Sequence, residues 1–280
     1  MPANLYALGA IALWISLAAL GLLLKHVPPF LLTGVALLLG SLLALPFVIR
    51  DRRQWRVPAS TLALGVYGLF GFHFLLFMAL RHAPPVEANL VNYLWPLFMV
   101  VLAPLLLAGV QLRTVHVVAA LLGFAGAAVA ILGAGSPSAA SGGGCWGSLL
   151  ALASALIWAS YSLLTQRVKP VPTAAIGLFG LVSGLLSLLC HWALEPAAAL
   201  SGRDWLLLAM MGLGPLGGAF FLWDQALKRG DARQIGILSY LTPLGSTALL
   251  LLVSGQPLSW SIGLAAVMIL AAAVLGTRAR

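Results

Sequence analysis

Apolar residues run through this chain in blocks, and short stretches between the blocks carry the charges, the Pro pairs and the Gly/Ser clusters. A helix needs about 20 apolar residues to cross a bilayer. Cutting the runs at those stretches predicts ten helices, at 5–24, 30–49, 60–80, 87–107, 114–134, 147–167, 173–193, 205–227, 232–253 and 260–277. A closed barrel would show alternating segments of about ten residues, and the chain has none. The expected fold class is all-α, a polytopic membrane protein.

Composition removes the alternatives. Of 280 residues, 62% are hydrophobic and 8% charged, whereas a soluble domain carries about 25% charged residues. So few polar side chains could not cover a soluble globule, and so much hydrophobicity excludes disorder. The net charge of +9 does not mark a nucleic-acid binder, because the 15 basic residues form no basic stripe. They set sidedness instead. Twelve of them, from Arg50 through Arg113, Lys169 and Lys228 to Arg280, fall on the side that holds the N-terminus; Lys25, Arg81 and Arg203 fall on the other. The positive-inside rule then places both termini in the cytoplasm. The first apolar run lacks a charged n-region and reads as a spanning helix rather than a cleaved signal peptide.

Tryptophans at 55, 146, 192, 205 and 260 fall at helix ends, where indole rings favour the interface. Trp14, Trp95, Trp158 and Trp223 do not, and need another role.

The two halves of the chain are related. Residues 65–97, shifted by 147 without gaps, superpose on 212–244 with 11 identities in 33, including Gly65/Gly212, Gly71/Gly218 and Phe74/Phe221. The best block is Asn92-Tyr-Leu-Trp-Pro-Leu97 against Ser239-Tyr-Leu-Thr-Pro-Leu244. A shift of 144 pairs Trp14 with Trp158, Ser16 with Ser160, Lys25 with Lys169 and Pro28 with Pro172. The expected division is a first five-helix repeat at 1–134, a Gly/Ser-rich connector at 135–146 and a second repeat at 147–280. Five is odd, so the copies lie upside down relative to one another. Inverted repeats mark alternating-access transporters, whose substrate site lies near the midplane between the copies.

On these residues the chain resembles the drug/metabolite transporter superfamily, in its EamA-type branch of ten helices, and within it the bacterial aromatic amino-acid exporters. The carriers are the Tyr-Leu-x-Pro-Leu blocks at 93–97 and 240–244, Trp14/Trp158, and the turns Gly109-Val-Gln-Leu-Arg113 and Gly255-Gln-Pro-Leu258. Many family members have Glu in those turns where this chain has Gln111 and Gln256, so a coupling role for that acidic pair does not carry over.

Helices 2, 5, 7 and 10 are almost wholly aliphatic, while 1, 3, 4, 6, 8 and 9 hold the mid-span polar and aromatic residues. Polar groups in lipid face the bundle interior, which assigns the second set to a central cavity and the first to a lipid-facing scaffold. Helix 4 presents Asn89, Asn92, Tyr93 and Pro96 on one stripe, and helix 9 presents Gly236, Ser239, Tyr240 and Pro243. Pro96 and Pro243 remove backbone hydrogen bonds and are candidate hinges. Helix-to-helix hydrogen bonding is the other reading of the same stripes. Helix 6 adds Ser154, Trp158, Tyr161, Ser162 and Thr165. Candidate substrate contacts are therefore Trp14, His73, Asn92, Tyr93, Trp95, Trp158, Tyr161, Ser239 and Tyr240. His73 is the histidine well inside a span; His26, His82, His116 and His191 are expected to be solvated at helix ends.

Among the six acidic residues, Glu87 and Asp224 alone could reach the membrane path, as candidates for energy coupling. Asp224 precedes Lys228 by four, so a plain helical ion pair explains it equally well. Gly180-x-x-x-Gly184 and Gly214-x-x-x-Gly218 are expected to pack helices closely. Gly212-x-Gly-x-x-Gly217 matches a dinucleotide fingerprint but lies inside a helix with no strand before it. Cys145 and Cys190 both fall near the outer face, where they could pair or stay free.

The function these features favour is export of small amphiphilic metabolites, with aromatic and other apolar amino acids as substrates. Export of neutral drugs by the same fold is the nearest alternative. An intramembrane lipid-modifying enzyme would need paired carboxylates, a His/Asp couple or a metal cluster in the bundle, and no acid neighbours His73 in sequence. The expected partners are a small-molecule substrate and membrane lipid; no nucleic acid, cofactor or metal is called for, and a monomer suffices.

Overall fold

The computed structural model describes residues 2–133, 145–253, 255 and 260–278. The connector Ser136–Gly144 and Gln256 lie outside the described residues. Ten helical spans follow one another: α1 (Ala3–Leu23), α2 (Pro29–Arg50), α3 (Ala59–His82), α4 (Pro85–Leu106), α5 (Thr114–Gly133), α6 (Cys145–Leu164), α7 (Ala175–Leu194), α8 (Gly202–Arg229), α9 (Ala232–Val253) and α10 (Trp260–Arg278). The first nine are long and apolar enough to cross a bilayer, and α10 carries a shorter apolar stretch over Trp260–Gly276. The chain is a polytopic all-α membrane protein.

Several spans are interrupted, and the interruptions have local causes. In α2 the ladder tightens over Leu42–Ala44, just before Pro46 removes an N–H. In α4 the helix breaks at Tyr93 and Leu94 and restarts at Trp95, with Pro96 in the new first turn. In α9 it breaks at Ser239 and Tyr240 and restarts at Leu241, before Pro243. α3 and α8 each widen into a π turn, at Tyr67–Gly71 and Gly214–Gly218. The two π turns and the two prolines sit at the same offset of 147 that aligns the sequences, so the backbone irregularities repeat along with the residues.

Packing follows the same pairing. Neighbours run α3–α6–α4–α9–α1–α8 around the bundle, the α2/α7 pair joins α8 to α3, and the α5/α10 pair covers α4 and α9. The α2/α7 crossing is close because glycines face backbone: a Cβ on Gly184 would lie 3.0 Å from Gly34 O, and one on Gly180 3.3 Å from Leu37 O. The Gly214-x-x-x-Gly218 stretch behaves differently from expectation. Its ends meet mainly Leu13 and their own helix, and it is Gly212 and Gly217 that approach the α2 backbone, at Gly40. The dinucleotide-like glycines thus serve helix packing around a π turn. Both cysteines are free.

Candidate functional site

The mid-span aromatic residues meet. Trp14 of α1, Phe72 and His73 of α3, Trp95 of α4, Trp158 and Tyr161 of α6, and Phe220 and Trp223 of α8 form one buried cluster. Trp158 is its hub and is 3% exposed. Its ring centre lies 5.9 Å from Trp14, 5.2 Å from Phe72, 5.6 Å from Phe220 and 5.5 Å from Tyr161. Trp223 closes the other side, 5.1 Å from Trp14 and 5.7 Å from Trp95. Each such ring pair contributes about 0.5–1.5 kcal/mol beyond the area it buries.

The π turns help place this cluster. Each precedes the residues its helix delivers: Phe72 and His73 follow 67–71, and Phe220 and Trp223 follow 214–218. A π turn loosens the ladder, and cluster side chains take up its carbonyls. Trp14 Nε1 donates to Pro215 O (3.0 Å), and His73 Nδ1 lies 2.6 Å from Leu69 O. As a neutral imidazole, His73 donates from Nδ1 to that carbonyl and leaves Nε2 as an acceptor. Trp223 Nε1 donates to Ser162 Oγ (3.2 Å). The indole N–H groups of Trp95 and Trp158 have no acceptor among the described residues. The cluster therefore offers flat apolar faces, two free N–H donors and one ring nitrogen acceptor.

A cavity of about 310 Å³ opens beside it, toward the face that holds the N-terminus. Tyr161 belongs to both. Thr61, Thr165, Phe179, Asp224 and Lys228 line the rest of its wall, with exposed Lys169 and Arg229 at the mouth. The buried Asp224 carboxylate accepts from Lys228 Nζ (2.6 Å) and Thr173 Oγ1 (2.5 Å), and Gln225 Nε2 donates to Thr173 Oγ1. These partners offset the cost of burying the charge. The Asp224–Lys228 helical pair expected from their spacing is present.

Other expected site residues lie elsewhere. Asn92 is buried next to the cluster, where its Oδ1 accepts from Ser154 Oγ (3.2 Å). Tyr93 is half-buried and outside the cluster. Tyr240 is fully buried, but against Ala127 of α5 and Ile269 of α10, with its ring over Gly123. Ser239 turns its hydroxyl back onto Ile235 O (2.8 Å). Tyr240 and Ser239 of α9 thus lie away from the cluster, to which α4 contributes Trp95 from beside its own stripe. Glu87 accepts from Ser148 Oγ at the opposite end of the bundle, away from the cavity.

Three features escape the sequence reading. Trp223 is a full member of the cluster, although only its unexplained depth in α8 marks it in the sequence. His116, expected to be solvated, is instead fully buried where α5 packs against the first half of α9, near Asp231. Glu195, just beyond the seventh span expected at 173–193, buries its carboxylate completely and is contacted by four groups: Phe30 N, Leu31 N, Arg81 Nη2 and His191 Nδ1. Near His116 a second cavity, of about 280 Å³, lies against Gln111 and Asp231. Burial there pushes the Asp231 carboxyl up, but hydrogen bonds from Arg233 and its charge outweigh this and hold the group below the usual carboxylate range. Arg233 Nη1 also donates to Gln111 O (2.6 Å).

Comparison with known proteins bears on this site. The EamA-like transporter family matches at residues 1–132 and again at 145–278. The aromatic amino acid exporter YddG of Ancylobacter novellus is 40% identical over 98% of this chain and 96% of its own length. The aromatic amino acid exporter YddG of Salmonella typhimurium is 27% identical over the same shares. A crystal structure of a protein 38% identical superposes with a TM-score of 0.91, over 99% of this chain and 97% of that one. With both halves of its length matched, the chain belongs to the EamA-like transporter family.

Proposed function

We propose that this protein exports aromatic and other apolar amino acids across the inner membrane by alternating access, with its N-terminal face in the cytoplasm. The observation that carries the reading is the aromatic cluster itself. Side chains from five spans converge on flat rings with unpaired indole N–H groups, next to a cavity open to one face. Such a set suits a flat apolar side chain, and the free donors suit a carboxylate. Trp158, Trp14, Trp95, His73 and Tyr161 are the substrate contacts of this reading, joined by Phe72, Phe220 and Trp223, with Asn92 as a supporting contact. The shared name of the two relatives supports the substrate class. The recurrence of π turns and prolines at one offset, and the separate family matches to each half, support two repeats at 1–134 and 147–280. Five spans each make them inverted, with Pro96 and Pro243 as hinges. The excess of basic residues on the N-terminal side supports the orientation.

Purified protein in liposomes, assayed for flux of labelled phenylalanine, tryptophan and threonine and of a neutral aromatic drug, tests this directly. Flux of phenylalanine and tryptophan above protein-free vesicles, with threonine slower, is expected. Flux of the drug alone would move the substrate class, and no flux of any solute would overturn the transport reading.

A further inference from the structure

The two ends of the bundle differ at one repeated position. On the face opposite the N-terminus, Glu195 ends α7 and its carboxylate is sealed from solvent. It accepts from the first free N–H groups of α2, Phe30 N (3.0 Å) and Leu31 N (3.2 Å), and from Arg81 Nη2 at the end of α3 (2.9 Å). One acid thereby ties α7, α2 and α3 together, using both an ion pair and the positive end of a helix.

His191 Nδ1 also contacts Glu195 (2.9 Å) and has no counterpart, since the shift of 144 maps it onto Phe47, but the other parts of this latch do recur on the N-terminal face. The shift of 144 maps Glu195 onto Asp51, and each acid is the residue that ends its helix, α7 or α2. The same shift maps Phe30 and Leu31 onto Ala174 and Ala175, at the start of α7. The shift of 147 maps Arg81 onto Lys228. Lys228 already lies over the start of α7, donating to Val171 O (2.7 Å). The loop that carries Asp51 is adjacent too, since Trp55 Nε1 donates to Ala174 O (2.8 Å). Yet Asp51 is exposed, and among the described residues its carboxylate accepts only from Arg53 N (2.9 Å). Lys228 is instead paired with Asp224, in the wall of the open cavity.

We propose that Asp51 and Lys228 form a second latch at the start of α7, made only in the opposite conformational state, and that it alternates with the Glu195–Arg81 latch. In the state described here the far latch is made and the cavity opens to the N-terminal face. In the other, Lys228 exchanges Asp224 for Asp51, Asp51 caps α7, and Glu195 releases Arg81. The inference rests on the alternating-access reading, but its test reads conformation rather than flux.

The reporter is Thr165→Cys in the cavity wall, in a Cys145→Ser, Cys190→Ser background, labelled with a membrane-impermeant maleimide in lipid nanodiscs. Glu195→Gln or Arg81→Gln should lower the labelling rate at least about threefold, as the population shifts away from the cavity-open state. Asp51→Asn alone should leave the rate at or above that of the parent. Asp51→Asn added to Glu195→Gln should restore it. Should Glu195→Gln fail to fold, Arg81→Gln, which keeps the cap on α2, gives the same reading. Unchanged labelling in the folded far-latch variants would overturn the proposal, and so would a fall that Asp51→Asn does not reverse. A chain that transports nothing would fail the flux assay in every variant, a result distinct from either.

Discussion

The α4 and α9 breaks share a sequence block, a proline and an offset, but their side chains do different work. In α4 the break turns Trp95 into the aromatic cluster and sets Asn92 against Ser154. In α9 the Trp position is Thr242, and Tyr240 is packed outward onto α5 and α10. A repeat inherits its backbone irregularity from symmetry, whereas the chemistry of each copy depends on what packs against it. The site is accordingly lopsided, with α9 giving the cluster no ring.

That contrast can be broken experimentally. The largest effect belongs to Trp158→Ala, which removes the hub of the cluster. It should cost about 3–5 kcal/mol of stability and abolish aromatic amino-acid flux. The 79%-exposed Trp260, changed to Ala, should stay within about 0.5 kcal/mol on stability and keep its flux. Thermal melting in detergent and liposome flux would show both, and equal losses would undo the site assignment. Two glycines come next. A Cβ at Gly68 would collide with the Tyr161 ring and one at Gly123 with the Tyr240 ring. Each Gly→Ala change should cost about 1–3 kcal/mol by overpacking. Only Gly68→Ala should also change the ratio of tryptophan to threonine flux, because only Tyr161 borders the cavity. Smallest is the pair Asn92→Ala and Ser239→Ala. The first loses a buried hydrogen bond between helices, worth about 1 kcal/mol, and should slow flux measurably. The second loses a bond within its own helix and should leave flux unchanged.

The sequence foretells the spans well, because about 20 apolar residues between charges leave the chain little choice in a bilayer. The observed ends fall within a few residues of those expected. The π turns of α3 and α8 share the offset of 147 but are not expected from the sequence, where Pro215 alone hints at one and Tyr67–Gly71 carries no such sign. Side-chain direction is less legible. Phe72 and Phe220 look like any lipid-facing phenylalanine until the π turns aim them inward, and Tyr240 looks like Tyr93 until Gly123 makes room for it. Glu195 and His116 sit where solvation is the natural expectation. Their burial comes from helix ends brought together by tertiary packing, which no local pattern encodes.

On the proposed function, aromatic substrates bind at the cluster around Trp158 rather than at its α9 counterpart. Equilibrium binding of labelled tryptophan to the purified wild-type protein, Trp158→Leu and Tyr240→Phe tests it most directly. Binding to Trp158→Leu should be at least about tenfold weaker, the loss of roughly one 1.4 kcal/mol ring contact, with Tyr240→Phe within about twofold of wild type. Equal affinity in Trp158→Leu and wild type, or a larger loss in Tyr240→Phe, would contradict it.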